Sequence, residues 1–150
     1  MKHVKVPQDR IGVLIGEGGE TMREIERQAD VRLDIDSESG AVAIDVVGDP
    51  VSGMLAPDIV RAIGRGFTPE SALSLLDDDL RTFELVDLES HTRNKNDLRR
   101  QKGRLIGEDG RTRELMEELT GAEVVIKGST LGVIGQPEEI DAVRRAVGMI

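Results

Sequence analysis

The feature that most constrains this chain is that it repeats itself. Displaced by 91 residues, positions 12–35 fall over 103–126, and nine of the twenty-four residues are identical. The matches are Gly12/Gly103, Leu14/Leu105, Ile15/Ile106, Gly16/Gly107, Glu17/Glu108, Gly19/Gly110, Thr21/Thr112, Glu26/Glu117 and Ile35/Ile126. With a four-residue gap, the run Val46-Val47-Gly48-Asp49-Pro50 also overlies Val133-Ile134-Gly135-Gln136-Pro137. A chain of 150 residues built this way has to hold two copies of one unit, each with its own small core.

Each copy reads in the same order. A β-rich segment leads (2–7, then 82–88), a short helix follows, and Leu-Ile-Gly-x-x-Gly breaks it. A second helix comes next, with its apolar side expected at Met22, Ile25 and Ala29 in copy one. In copy two the expected side is Leu115, Met116 and Leu119. Alternation then replaces helical spacing at Val31, Leu33, Ile35 and at Ala122, Val124, Ile126, the period of a strand buried on one face. A turn leads to another strand, and Asp49-Pro50 or Gln136-Pro137 opens a last helix, because proline fits the first helical position. The unit is therefore β-α-α-β-β-α. Pro57 falls inside the last helix of copy one and should kink or restart it. Thr68-Pro69-Glu70-Ser71 starts another short helix between the copies.

Several chemistries are excluded by what is missing. Without cysteine there is no disulfide framework, thiolate zinc site or thiol nucleophile. Neither a P-loop nor a strand-placed dinucleotide fingerprint occurs. His3 and His91 have no metal-ligand or nucleophile pattern around them, and Asp77-Asp78-Asp79 reads as a solvated turn. No catalytic residue, metal or cofactor is assigned. The longest apolar runs, such as Ala41-Val42-Ala43-Ile44, are too short to span a bilayer, and the first residues lack a signal-peptide core. The expectation is a soluble, cytoplasmic, non-enzymatic protein.

The charge is uneven. Twenty-nine acids against twenty bases give −9, with fifteen Arg to five Lys. Yet positions 91–113 carry eight bases (Arg93, Lys95, Arg99, Arg100, Lys102, Arg104, Arg111, Arg113) against three acids. That island flanks the second Gly-x-x-Gly. A tight turn into a helix leaves backbone N–H groups without intrahelical partners, and glycine lets an anion approach them closely. The expected contacts are the amides of Gly107 and Gly110, supplemented by Lys102, Arg104, Arg111 and Arg113, with Leu105 and Ile106 packing the helix pair. Phe67 and Phe83 are the only aromatic residues, so stacking contributes little.

The phrase Lys102-Gly103-Arg104-Leu105-Ile106-Gly107-Glu108-Asp109-Gly110-Arg111-Thr112-Arg113 resembles the type I KH domain, a single-stranded nucleic-acid module whose loop clamps about four nucleotides. Together with Ala62-Ile63-Gly64-Arg65-Gly66-Phe67-Thr68-Pro69-Glu70, it is similar to the archaeal and eukaryotic KH-protein family called partner of Nob-one, or Dim-two. The resemblance implies an α+β fold of two tandem type I KH domains, each a three-stranded sheet with helices on one face. The domains are placed at 1–66 and 81–150, with 67–80 as a linker holding a short helix.

The resemblance also implies a ribosome-assembly factor that binds the 3′ region of small-subunit precursor rRNA. The implied partners are the endonuclease Nob-one and the alpha subunit of initiation factor two. Other RNAs, such as mRNA or tRNA, and a protein-interaction scaffold are the alternatives. Both loops depart from the family in being acidic inside: Glu17 with Gly18 in one, Glu108 with Asp109 in the other. Backbone amides must then hold the phosphate. The expected RNA site is 102–113 except Leu105, whose role is packing. Gly16, Glu17, Gly18, Gly19 and Thr21 form a secondary RNA or docking site, because Glu20, Glu24 and Glu26 follow that loop. The chain end at Ile150 without a helix cap suggests a truncated protein lacking a more basic tail. The acid excess and Arg bias suggest an archaeal cytoplasm near molar salt, where screening acts within about 3 Å and directed hydrogen bonds outlast diffuse attraction.

Overall fold

The computed structural model describes residues 1–149, and of His91 only the backbone. The readings of the His91 side chain and of Ile150 lie outside the described residues. The chain divides into two compact units, Met1–Asp79 and Leu80–Ile150.

In the first unit the order is β1 (Lys2–Lys5), α1 (Gln8–Ile15), α2 (Glu20–Ala29), β2 (Val31–Ile35), β3 (Ala41–Val46), α3 (Pro50–Gly64) and α4 (Pro69–Leu73). The strands form an antiparallel sheet in the order β1-β3-β2. Alternation works as the sequence requires: Val31 and Leu33 are buried while Arg32 and Asp34 face solvent. Val4, Val42 and Ile44 join them under the helices, against Leu14, Ile25, Ile59 and Ile63. Asp49 caps α3 by accepting the Val51 N–H at 3.0 Å.

The second unit repeats the plan with β4 (Thr82–Asp87), α5 (Lys95–Ile106), α6 (Arg111–Thr120), β5 (Glu123–Lys127), β6 (Thr130–Gly135) and α7 (Pro137–Gly148). Its sheet is antiparallel in the order β4-β6-β5. Its core gathers Val86, Leu105, Met116, Val124, Leu131, Val133, Ile140 and Val143. The α+β class and the two three-stranded sheets are as the resemblance implied.

Three details differ from the expectation. Of the two outcomes expected at Pro57, the restart does not occur: α3 is one helix from Pro50 to Gly64. On α6, Met116 is buried but Leu115 and Leu119 are 53% and 77% exposed, so they do not belong to the core. The inner face instead runs through Arg113, Met116 and Thr120. Finally, most of the expected linker is folded onto the first unit. Phe67 is buried, its N–H bonds the Ala62 carbonyl at 3.1 Å, and Arg10 ties the carbonyls of Ile63 and Phe67 at 2.8 Å each. Thr68 caps α4 by accepting the Ser71 N–H at 3.1 Å, as Thr68-Pro69 suggested.

Candidate nucleic-acid interface

The Gly-x-x-Gly turn has the same backbone in both units. Gly16 and Gly107 each sit at φ +75, with ψ 174 and 176, an extended left-handed geometry open essentially to glycine alone. A Cβ there would collide with the hydroxyl of the threonine five residues on, at 2.3 Å from Thr21 and 2.2 Å from Thr112. The paired identities Gly16/Thr21 and Gly107/Thr112 are therefore one packing contact made twice. Gly110 lies at φ +77, and Asp109 takes φ +54 where the other loop has Gly18 at φ +60.

The donors are not the ones the sequence suggested. Gly107 N–H bonds the Gly103 carbonyl at 2.9 Å and Gly110 N–H bonds the Gly107 carbonyl at 3.3 Å. Arg111 N–H is spent on the Glu108 carbonyl. A turn closed between its ends leaves its middle amides outside. Those are Glu108 and Asp109, whose N–H groups have no acceptor among the described residues. The loop thus offers an anion two adjacent amides, with both carboxylate side chains exposed to solvent.

Beside this turn runs a trough. One part, about 360 Å³, is lined by Ile106, Arg113 and the strand residues Val124, Val125 and Ile126. A second, about 600 Å³, runs along α5 past Leu98, Arg99, Lys102 and Gly103, with Gly128 and Ser129 of the β5–β6 turn opposite. Ile106, 37% exposed, borders both and joins them. Gly103 has nothing within 4 Å of where a Cβ would stand, so its lack of a side chain widens the channel.

The strand wall is fixed by a clip. Glu117 Oε2 accepts the Val124 N–H at 2.8 Å, and Arg113 bonds Glu117 Oε1 at 2.9 Å and the Val124 carbonyl at 3.1 Å. Glu26 holds the Leu33 N–H in the same way at 2.9 Å in the first unit. This is the physical content of the Glu26/Glu117 identity. Val124 therefore turns both backbone groups away from β6, and by the two-residue period so does Ile126. The open edge of β5 presents one donor and one acceptor of Ile126 to the trough.

The sequence-selected residues accordingly separate. Lys102, Gly103, Ile106 and Arg113 line the trough, and the turn 107–110 follows directly on Ile106 in the chain. Thr112 braces Gly107. Arg104 and Arg111 are exposed but belong to neither part of the lining. Arg113 is held in the wall by two internal acceptors instead of standing free for a phosphate. Sequence reasoning missed Glu89, Lys95, Leu98, Arg99, Val124, Ile126, Gly128 and Ser129 as lining. The spacing 95, 99, 102, 106 on one helical stripe was the readable signal for the α5 part.

The first unit has the turn but not the cations. Counting back from the turn, Gln8, Asp9, Ile11 and Val13 stand where the second unit has Arg99, Arg100, Lys102 and Arg104; Glu20 replaces Arg111 and Met22 replaces Arg113. Arg23 also folds over the loop and bonds the Gly18 carbonyl at 2.9 Å. Among the described residues no group of His, Asp or Glu is arranged to hold a metal ion, and no helix is long and apolar enough to cross a membrane.

Comparison with known proteins agrees with this geometry. Residues 82–150 match the model of the second KH domain of Pno1 proteins, described as a eukaryotic type KH-domain (KH-domain type I), and residues 1–56 match the KH domain. A KH domain-containing protein of Methanocaldococcus jannaschii, MJ0443, is 43% identical over 150 residues, covering 98% of this chain and 65% of the relative. The chain thus spans just under two thirds of that relative's length. The crystal structure of Dim2p from Pyrococcus horikoshii OT3 superposes with a TM-score of 0.89 at 42% identity, over 97% of this chain and 87% of that one. A chain of the a/eIF2alpha-aDim2p-rRNA complex from the same organism gives 0.90 at 42% identity, over 97% and 81%. Two KH units in tandem, a Pno1-type second domain and near-complete superposition on Dim2p place this chain in the Dim2/Pno1 family of KH-domain proteins.

Proposed function

We propose that this protein binds single-stranded RNA in the trough of its second unit, as a non-enzymatic factor in assembly of the small ribosomal subunit. The RNA is the 3′ region of precursor rRNA. The observation that carries the reading is the pair of unspent amides at Glu108 and Asp109, two and three residues after Ile106, which borders a channel with cations along α5. The complex that superposes on this chain contains rRNA and the initiation factor two alpha subunit, which supports the ligand class and that partner. The endonuclease Nob-one is the second partner, and the cytoplasm, near molar salt, is the compartment. The first unit serves mainly for docking or structure, in keeping with its acidic flank and its Arg23-capped loop.

Fluorescence anisotropy with a short rRNA 3′-end oligonucleotide against a scrambled one tests the ligand. Gly107→Asp should abolish binding while Gly16→Asp leaves it near wild type. Equal losses would overturn the division of labour, and equal affinity for the scrambled strand would overturn the rRNA assignment.

A further inference from the structure

Beyond the four-nucleotide clamp of a Gly-x-x-Gly turn, α5 carries structure that the turn does not need. It has twelve residues where α1 has eight, so it extends one further turn away from the loop. The trough follows it. Its α5 part is bounded by Glu89, Lys95 and Leu98, and the same three residues border a further hollow of about 200 Å³ reaching Arg93 and Asn94. Lys95, Arg99, Lys102 and Ile106 recur at intervals of four, three and four, which puts them on one stripe about 16 Å long. Lys95 and Arg99 are exposed, Lys102 is half-buried, and none of the three makes an ion pair among the described residues. Arg100 and Arg104 lie on the opposite side of the helix. Among the described residues Glu89 is the one carboxylate lining this channel, and it stands on a short turn across from α5. A strand laid here keeps its phosphates on the α5 side and its bases toward Glu89.

We propose that the RNA site of the second unit continues past the turn along α5, where Lys95, Arg99 and Lys102 take the phosphates of about three further nucleotides beyond the four held at the loop. This rests on the reading of the trough as an RNA channel. Neither Phe67 nor Phe83 lines it, so the extension is held by charge and hydrogen bonds, and it should be salt-sensitive.

The test shortens the rRNA 3′-end oligonucleotide from about ten to about four nucleotides and measures affinity at several salt concentrations. Wild type should weaken as the strand falls below about seven nucleotides. Lys95→Ala/Arg99→Ala/Lys102→Ala should show little length dependence, and its slope of log affinity on log salt should be shallower by about 2. Arg100→Ala/Arg104→Ala, which removes two cations from the other side of the helix, should keep the length dependence; circular dichroism confirms that both variants fold. Length-independent binding in wild type overturns the extension and leaves the turn as the whole site. An equal effect of both variants overturns the stripe in favour of unspecific charge. Absence of binding at every length overturns the RNA reading itself.

Discussion

Gly107 and Gly110 bracket one turn, yet substitution should separate them sharply. Alanine at 107 meets both a forbidden backbone region and the Thr112 hydroxyl, and should cost more than ~2 kcal/mol in thermal or denaturant unfolding. Alanine at 110 faces open space and pays only for its left-handed backbone, about 1 kcal/mol. The sequence showed that glycine was needed at both positions, but not that threonine enforces the first. Nor could it show that the Gly107 and Gly110 amides are spent while those between them are not; that depends on which carbonyls close the turn. Glu117→Ala strands the Val124 N–H and releases Arg113, for an expected loss of about 1 to 2 kcal/mol in the second unit. Glu26→Ala should cost the first unit a similar amount, and chemical denaturation of the two variants checks the pair.

Among the elements, α5 shows where stability and binding part. Gly103→Ala removes a helix-interior glycine and should raise stability by roughly 0.5–1 kcal/mol, while its methyl narrows the trough and lowers RNA affinity. Calorimetry beside anisotropy reads both signs. The turn between β2 and β3 titrates. Asp36 is held below the usual carboxylate range, first by the Glu38 N–H and then by Ser39. A carboxyl whose folded pKa is depressed stabilises fully at neutral pH. The gain erodes as the unfolded chain takes up its proton near pH ~4, and it is lost once the folded carboxyl protonates. Asp36→Asn should therefore flatten the acid limb of a thermal-stability profile between about pH 5 and pH 2. Element order was legible because its signals are local: strand alternation at Val31–Ile35, and proline after Asp49 and Thr68. The α6 face was not, because Leu115 and Leu119 look like core residues in sequence, and only packing shows that Arg113 faces inward. The unbroken α3 was equally hidden, because in sequence Pro57 reads as a kink or a stop.

At the scale of the whole molecule, the repeat made two units plain, whereas the boundary near 79 depended on Phe67 and α4 folding back onto α3. The net charge of −9 acts on stability before it acts on binding. Like charges repel in the compact state, and salt near 1 M confines that repulsion to about 3 Å. The melting temperature should rise between ~0.15 and ~2 M KCl, and a fall would contradict the proposed adaptation to a salt-rich cytoplasm. The sequence also showed the uneven charge between the copies. It did not show which of the eight bases share a channel, because Arg100 and Arg104 are near neighbours of Arg99 and Lys102 in sequence but lie across the helix.

The clip of Glu117 and Arg113 on Val124 has a thermodynamic corollary. Because a carboxylate and a guanidinium already hold the helix to the edge strand, the jaw is set before any guest arrives. Little conformational entropy is left to surrender on capture, so selectivity has to come from complementarity to a stiff mould instead of from closure around whatever enters.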